Sequence, residues 1–188
     1  MLDQDQAAEI FKRIRKYSTA DEVEALFYGG KSALTRFANN VIHQNVAEEN
    51  YSVSVRTVFA GRTARATTNK LDDESLKRVV QASENLAKVQ HPDHDLLPMA
   101  DAGESPATTR ANPGRHFGQT AALTPDLRAE GVTKIVGVAA QRKLTTAGIF
   151  SASESVEGVF NSRGLAAWHT QTSSEISITM LAGNSSGW

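Results

Sequence analysis

Hydrophobic residues recur at period two in several parts of this chain, and helical stripes interrupt that pattern. Tyr51, Val53, Val55, Thr57 and Phe59 share one face of a run whose other face carries Ser52, Ser54 and Arg56. Val23, Ala25 and Phe27 alternate with Glu24 and Leu26, and Ile176, Ile178 and Met180 alternate near the end. Side chains on a strand point to opposite faces in turn, so such runs predict sheet with one face packed and the other open to water or a partner.

The stripes between them have a different period. Ala7, Ile10, Phe11, Ile14 and Tyr17 recur every three or four residues and predict an amphipathic helix. A second helix is signposted by Asp72 as N-cap, by Asp73 and Glu74 at the positive end of the dipole, and by Leu71 stapling to Leu76. Its apolar stripe of Leu76, Val79, Val80, Leu86 and Ala87 runs to about Val89. Thr124-Pro125 starts a third helix, as N-cap followed by proline at the first helical position.

Gly29-Gly30 is expected to end the first strand, and Glu48-Glu49 to sit at a hairpin turn. Ala60-Gly61 marks another hairpin. Three or four further strands are expected between Ala33 and Asn69. The last segment divides into strands at 147–154, 156–161, 165–172 and 174–182, with a turn at Asn161-Ser162-Arg163-Gly164. The fold class is therefore α+β, with antiparallel β-sheet meanders and amphipathic helices packed on one face. Three stretches make it up. Residues 1–90 are a helix-strands-helix half, 91–123 a proline- and glycine-rich loop without periodicity, and 124–188 a helix plus β-meander.

Several functions are disfavoured. The chain has 20 basic and 21 acidic residues, with no basic stripe of the kind that phosphate neutralisation requires, so nucleic acid is not an expected partner. Cysteine is absent, which excludes thiolate metal sites and cysteine nucleophiles. The longest apolar runs fall far short of the ~20 residues a membrane helix needs, and the polar start is unlike a secretory signal. A soluble, cytoplasmic protein without membrane contact is expected.

No His-Glu dipeptide occurs, so the helical zinc motif of two histidines and a glutamate is missing, and neither catalytic nor metal-binding residues are assigned. His91 and His94 form the only close histidine pair, with proline between them. There is no nucleophile elbow and no phosphate-cradling glycine loop. The unusual stretch is Thr35-Arg36-Phe37-Ala38-Asn39-Asn40-Val41-Ile42-His43-Gln44-Asn45, rich in amides where strands disfavour them. It reads as a solvent-facing edge with an Asn-Asn turn. It also reads as a polar strand face, with Arg36, Asn39, His43 and Gln44 offered to an extended peptide.

The same stretch, with Ala33, Leu34 and Val46, resembles the N-terminal signature of the TldD/PmbA family. Val53-Ser54-Val55-Arg56, Gly61-Arg62, Thr67-Thr68-Asn69, Val159-Phe160-Asn161-Ser162-Arg163-Gly164-Leu165 and Ser185-Ser186-Gly187-Trp188 extend the likeness. The resemblance implies a metallopeptidase lineage whose His-Glu-x-x-x-His motif lies in a C-terminal β domain. It implies homo- or heterodimers of family members, and a historical link to modulation of DNA gyrase. On this reading the chain is the N-terminal scaffold and substrate-cleft domain of a zinc-dependent peptidase acting on unfolded peptides or small proteins. It would be inactive alone, with no cofactor in this chain and zinc in the missing C-terminal domain or in a partner. The abrupt ending on Gly187-Trp188 reads as a truncated frame or an expressed fragment. The metal-bearing and metal-free branches both stay open. The alternative is a free-standing protein-binding or gyrase-modulating adaptor without enzyme activity.

Overall fold

A computed structural model describes residues 1–103 and 113–188. Helix α1 (Gln4–Tyr17) is followed by strands β1 (Glu22–Ala38), β2 (Val41–Phe59) and β3 (Arg62–Thr68), then helix α2 (Asp73–Lys88). A 3-10 turn at Pro113–Arg115 precedes helices α3 (Gly118–Ala121) and α4 (Pro125–Gln141). Strands β4 (Thr145–Asn161), β5 (Ala166–Leu181) and β6 (Ser186–Gly187) complete the described elements. The strands form an antiparallel sheet in the order β3-β2-β1-β4-β5-β6, so the α+β class is observed.

Two compact units emerge, and neither is continuous in sequence. The first comprises Met1–Gly30, Asn50–Pro113 and Val156–Thr170; the second comprises Lys31–Glu49, Gly114–Ser155 and Gln171–Trp188. Chain order therefore does not mark them off, because β1, β2, β4 and β5 each contribute residues to both.

In the first unit α1 opens with a capping box, Asp3 and Gln6 satisfying each other's backbone N–H groups. Its buried Ala7, Ile10 and Ile14 join Leu76, Val79 and Val80 of α2 over Val23, Ala25, Phe27, Val53 and Val55. Those strand residues alternate, so the helices cover one face of the strands. Phe27 meets Phe160 edge-on with centroids 5.5 Å apart, and Trp168 stands 6.3 Å from Phe27. The connection from α1 to β1 is held by the buried Glu84 carboxylate, which accepts from the Thr19 N–H, the Thr19 hydroxyl and the Ser18 hydroxyl. Asp72 caps α2 through the Ser75 N–H at 2.9 Å, and the bonds from Ser75 hold its carboxyl below the ordinary range.

Several boundaries differ from the sequence reading. Gly29-Gly30 does not end β1; the strand runs through it with φ of 140° and 149°. A Cβ at Gly29 would collide with the carbonyl oxygen of Asn50 on β2, so here glycine permits close backbone approach rather than a turn. Glu48-Glu49 lies inside β2, which turns only at Asn39-Asn40 and Ala60-Gly61. All four of those turn residues have positive φ, which asparagine and glycine tolerate best. Four short strands expected after α4 are two long ones, of 17 and 16 residues. Gly158 is interior to β4 because the Trp168 ring lies where a side chain would project.

Of the expected loop over 91–123, residues 104–112 lie outside the described residues. The remainder holds α3 and the 3-10 turn, which its composition did not reveal. Met99 is buried, its N–H donates to Glu22 Oε2, and the Ala100 carbonyl accepts from Asn161 Nδ2 at 2.8 Å. Arg163 clasps Asp101 through Nε and Nη2 at 2.8 and 2.6 Å.

Two outcomes are expected. Gly29→Ala should lower stability by more than about 2 kcal/mol in a denaturant melt, through both positive φ and collision. The hydrogen bonds from Arg163 hold the Asp101 carboxyl below its ordinary value. A depressed folded pKa means that the clasp contributes fully above the unfolded carboxylate range and is lost as pH falls through the lower folded value. Hydrogen exchange at Met99 and Asp101, corrected for intrinsic rate, should therefore rise in strong acid, and at neutral pH in Arg163→Met.

Candidate functional site

The second unit contains the amide-rich segment singled out by sequence. Arg36 Nη1 donates to Gln44 Oε1 at 3.2 Å, and both residues are exposed. Asn39 is an exposed turn residue with φ of 51°, so its place follows from backbone geometry. His43 is exposed on β2. Of the four residues expected on the polar face, the structure thus joins Arg36 to Gln44 by a side-chain hydrogen bond, while Asn39 belongs to the turn. Asn40, next to Asn39, fastens that turn to β4. Its amide donates to the Leu144 carbonyl and accepts from the Thr146 N–H at 2.7 Å.

Sequence reasoning passed over a buried charged group of this unit. Thr124 caps α4 through the Leu127 N–H, Pro125 fills the first turn, and Arg128 follows on the buried side. Arg128 is 1% exposed. Its Nε donates to Thr35 Oγ1 at 3.2 Å, Nη1 to the Leu123 carbonyl at 2.8 Å and Nη2 to Asn45 Oδ1 at 3.0 Å. Burial pushes the guanidinium pKa down. The signal was present in the spacing: Arg128 stands four residues before Val132 and eleven before Ala139, the two buried apolar residues of α4.

Beside this group lies an open cavity of about 420 Å³, whose wall includes Lys31, Glu48, Glu49, Thr120, Arg128 and Glu154. A recess of about 280 Å³ shares Ser32, Ala33, Glu48, Ala152 and Ser153 with it and extends to Ser173 and Glu175. His116 Nε2 is 2.7 Å from Glu154 Oε1, and the Phe117 N–H donates to Thr172 Oγ1 at 3.0 Å, tying 116–117 to β4 and β5. The cavities are lined by hydroxyl, carboxylate and cationic groups, with small side chains between them, a wall suited to polar contact with an extended chain. Among the described residues no group of three or more His, Asp or Glu is placed to hold a metal ion. His91 and His94 are both exposed.

Known proteins share this architecture. Residues 23–87 match the family model described as PmbA/TldA metallopeptidase domain 1. The crystal structure of TldE from Thermococcus kodakarensis superposes with a TM-score of 0.77 at 17% identity, covering 96% of this chain and 40% of that one. A proposed modulator of DNA gyrase from Bacteroides thetaiotaomicron gives 0.77 at 15% identity, with 98% and 43% covered. A second proposed gyrase modulator, from Thermotoga maritima, gives 0.71 at 13%, with 96% and 41% covered. Among curated proteins none matches the sequence. This chain spans about two fifths of the solved structures it resembles. At these identities the superpositions establish the fold, and the likeness in sequence rests on the match of residues 23–87. Residues 23–87 match domain 1 of the PmbA/TldA metallopeptidases, in line with the TldD/PmbA resemblance carried by residues 33–46.

Proposed function

We propose that this chain is the scaffold and substrate-cleft part of a zinc-dependent TldD/PmbA-type peptidase acting on unfolded peptides or small proteins, and that it is inert alone. The observation that carries the reading is the match of residues 23–87 to the first domain of a metallopeptidase family. The polar cavities of the second unit supply the cleft: hydroxyls and carboxylates beside strands β1, β2 and β4 hold an extended backbone without cutting it.

Zinc does not fit the described residues. The one close His–carboxylate pair among them, His116 with Glu154, has no third donor grouped with it. Zinc sites need three or four such ligands. No hydrolytic step is therefore derived from this chain, and the metal belongs, on this proposal, to a further domain or a partner. A homo- or heterodimer with a family member, in the cytoplasm, completes the proposal. No helix among the described residues is long and apolar enough to cross a membrane.

The rival, an adaptor acting on DNA gyrase, draws on the descriptions of the two bacterial relatives. The formal net charge of −1 gives this chain little electrostatic drive toward DNA itself.

Three measurements check the proposal. Metal analysis of the purified chain should find no stoichiometric zinc, and unfolded peptides should survive incubation. One zinc per chain with chelator-sensitive proteolysis would overturn inertness. Ala33→Trp, placed on the wall of both cavities, should weaken binding of an unfolded peptide by about tenfold or more in fluorescence anisotropy. Saturable, salt-sensitive DNA binding would favour the rival instead.

A further inference from the structure

Buried charges in folded proteins are normally paired, because neutral contacts restore only part of the hydration an ion gives up. Arg128 departs from that pattern. It is 1% exposed, and its three hydrogen bonds go to a hydroxyl, a carbonyl and an amide oxygen. No carboxylate bonds to it among the described residues. A guanidinium has about five N–H donors in a planar fork, so donor capacity is left over. The residue also sits one turn from the N-cap Thr124, at the positive end of α4, where a cation is disfavoured and an anion favoured.

The cavity wall shows where an anion would come from. Arg128 and Lys31 both contribute to it, and so do Glu48, Glu49 and Glu154. Three carboxylates repel a dianionic phosphate or a nucleic-acid backbone more strongly than they repel the single charge of one carboxylate. Asn45, which covers Nη2, is itself exposed, so rotation of its amide uncovers the fork.

We infer that this cavity receives the free α-carboxylate of a bound peptide, anchored on Arg128. The inference rests on the peptide-cleft reading and adds a polarity to it: the peptide enters with its C-terminal end toward the first turn of α4. Thr35 and the Leu123 carbonyl hold the guanidinium plane through Nε and Nη1 while Asn45 turns away from Nη2.

The test is calorimetric titration of the full chain with N-acetyl-trialanine as free acid, with its C-terminal amide, and with inorganic phosphate. The acid should bind at least about tenfold more tightly than the amide, since a charge-assisted forked contact is lost in the latter. Phosphate should not saturate. Asn45→Asp places a carboxylate against Nη2 without emptying the core, so it should raise the melting temperature and bring the acid-to-amide ratio near one. Arg128→Gln, with its fold checked by circular dichroism, should remove the preference as well. Equal binding of acid and amide would overturn the carboxylate subsite while leaving the cleft reading intact. Binding of neither peptide would overturn both. Phosphate that saturates as tightly as the acid would make the site a general anion site and overturn the peptide assignment. An Asn45→Asp chain that keeps the tenfold preference would overturn the assignment to Arg128.

Discussion

A strand of 17 residues that buries side chains in two compact units must keep them in phase along its whole length. β1 does so: Val23, Ala25 and Phe27 are buried in the first unit, Thr35 and Phe37 in the second, all at odd positions. The change from one unit to the other falls at Gly30–Lys31, next to the place where Gly29 meets the β2 backbone at Asn50. A one-residue slip there would turn every later side chain to the wrong face. Gly29 keeps the strand continuous where a Cβ would push the β2 backbone away, and the alternation on both sides depends on it.

The two units solve the problem of polar groups differently. In the first, charge is kept near the rim of the core and is matched. Glu24 meets Arg56 at 3.3 Å and Arg65 at 2.9 Å, and Glu84 is surrounded by hydroxyl and amide donors. Such contacts contribute modestly to stability, and they leave neither Glu24 nor Glu84 without donors. In the second, a guanidinium is fully buried among neutral acceptors at the start of a helix. Stability alone would favour an apolar residue at that place, so the arrangement is informative about binding. The same unit holds the cavity whose wall includes Arg128, which places the unusual charge beside open space.

Much of the fold was legible in the residues. Asp72, Thr124 and Pro125 start their helices where capping chemistry says they should, and Asn39-Asn40 and Ala60-Gly61 turn as their tolerance of positive φ allows. The site was legible only in outline. Arg36 and Gln44 do come together, but Asn39 serves the turn, and Arg128 is not legible because a charged residue in a helix that also carries Asp126, Glu130 and Lys134 reads as surface. Its acceptors come from Thr35, Asn45 and Leu123, 93, 83 and 5 residues away, and local pattern carries no trace of such distant partners.

Short-range chemistry in the sequence determined the α+β class, the caps, the turns at Asn39-Asn40 and Ala60-Gly61 and the alternation of buried residues, because each depends on neighbours within a few residues. The family resemblance was equally a property of local words such as those around residues 33–46. Only the tertiary structure decided that the expected meander of short strands is two long ones, that the diglycine lies within a strand, and that each compact unit draws on three separate stretches of chain. Those outcomes turn on which backbone or ring occupies the space beside a glycine, and on which distant oxygen meets a buried guanidinium. Both are set by packing between segments far apart in sequence, where periodicity has nothing to say.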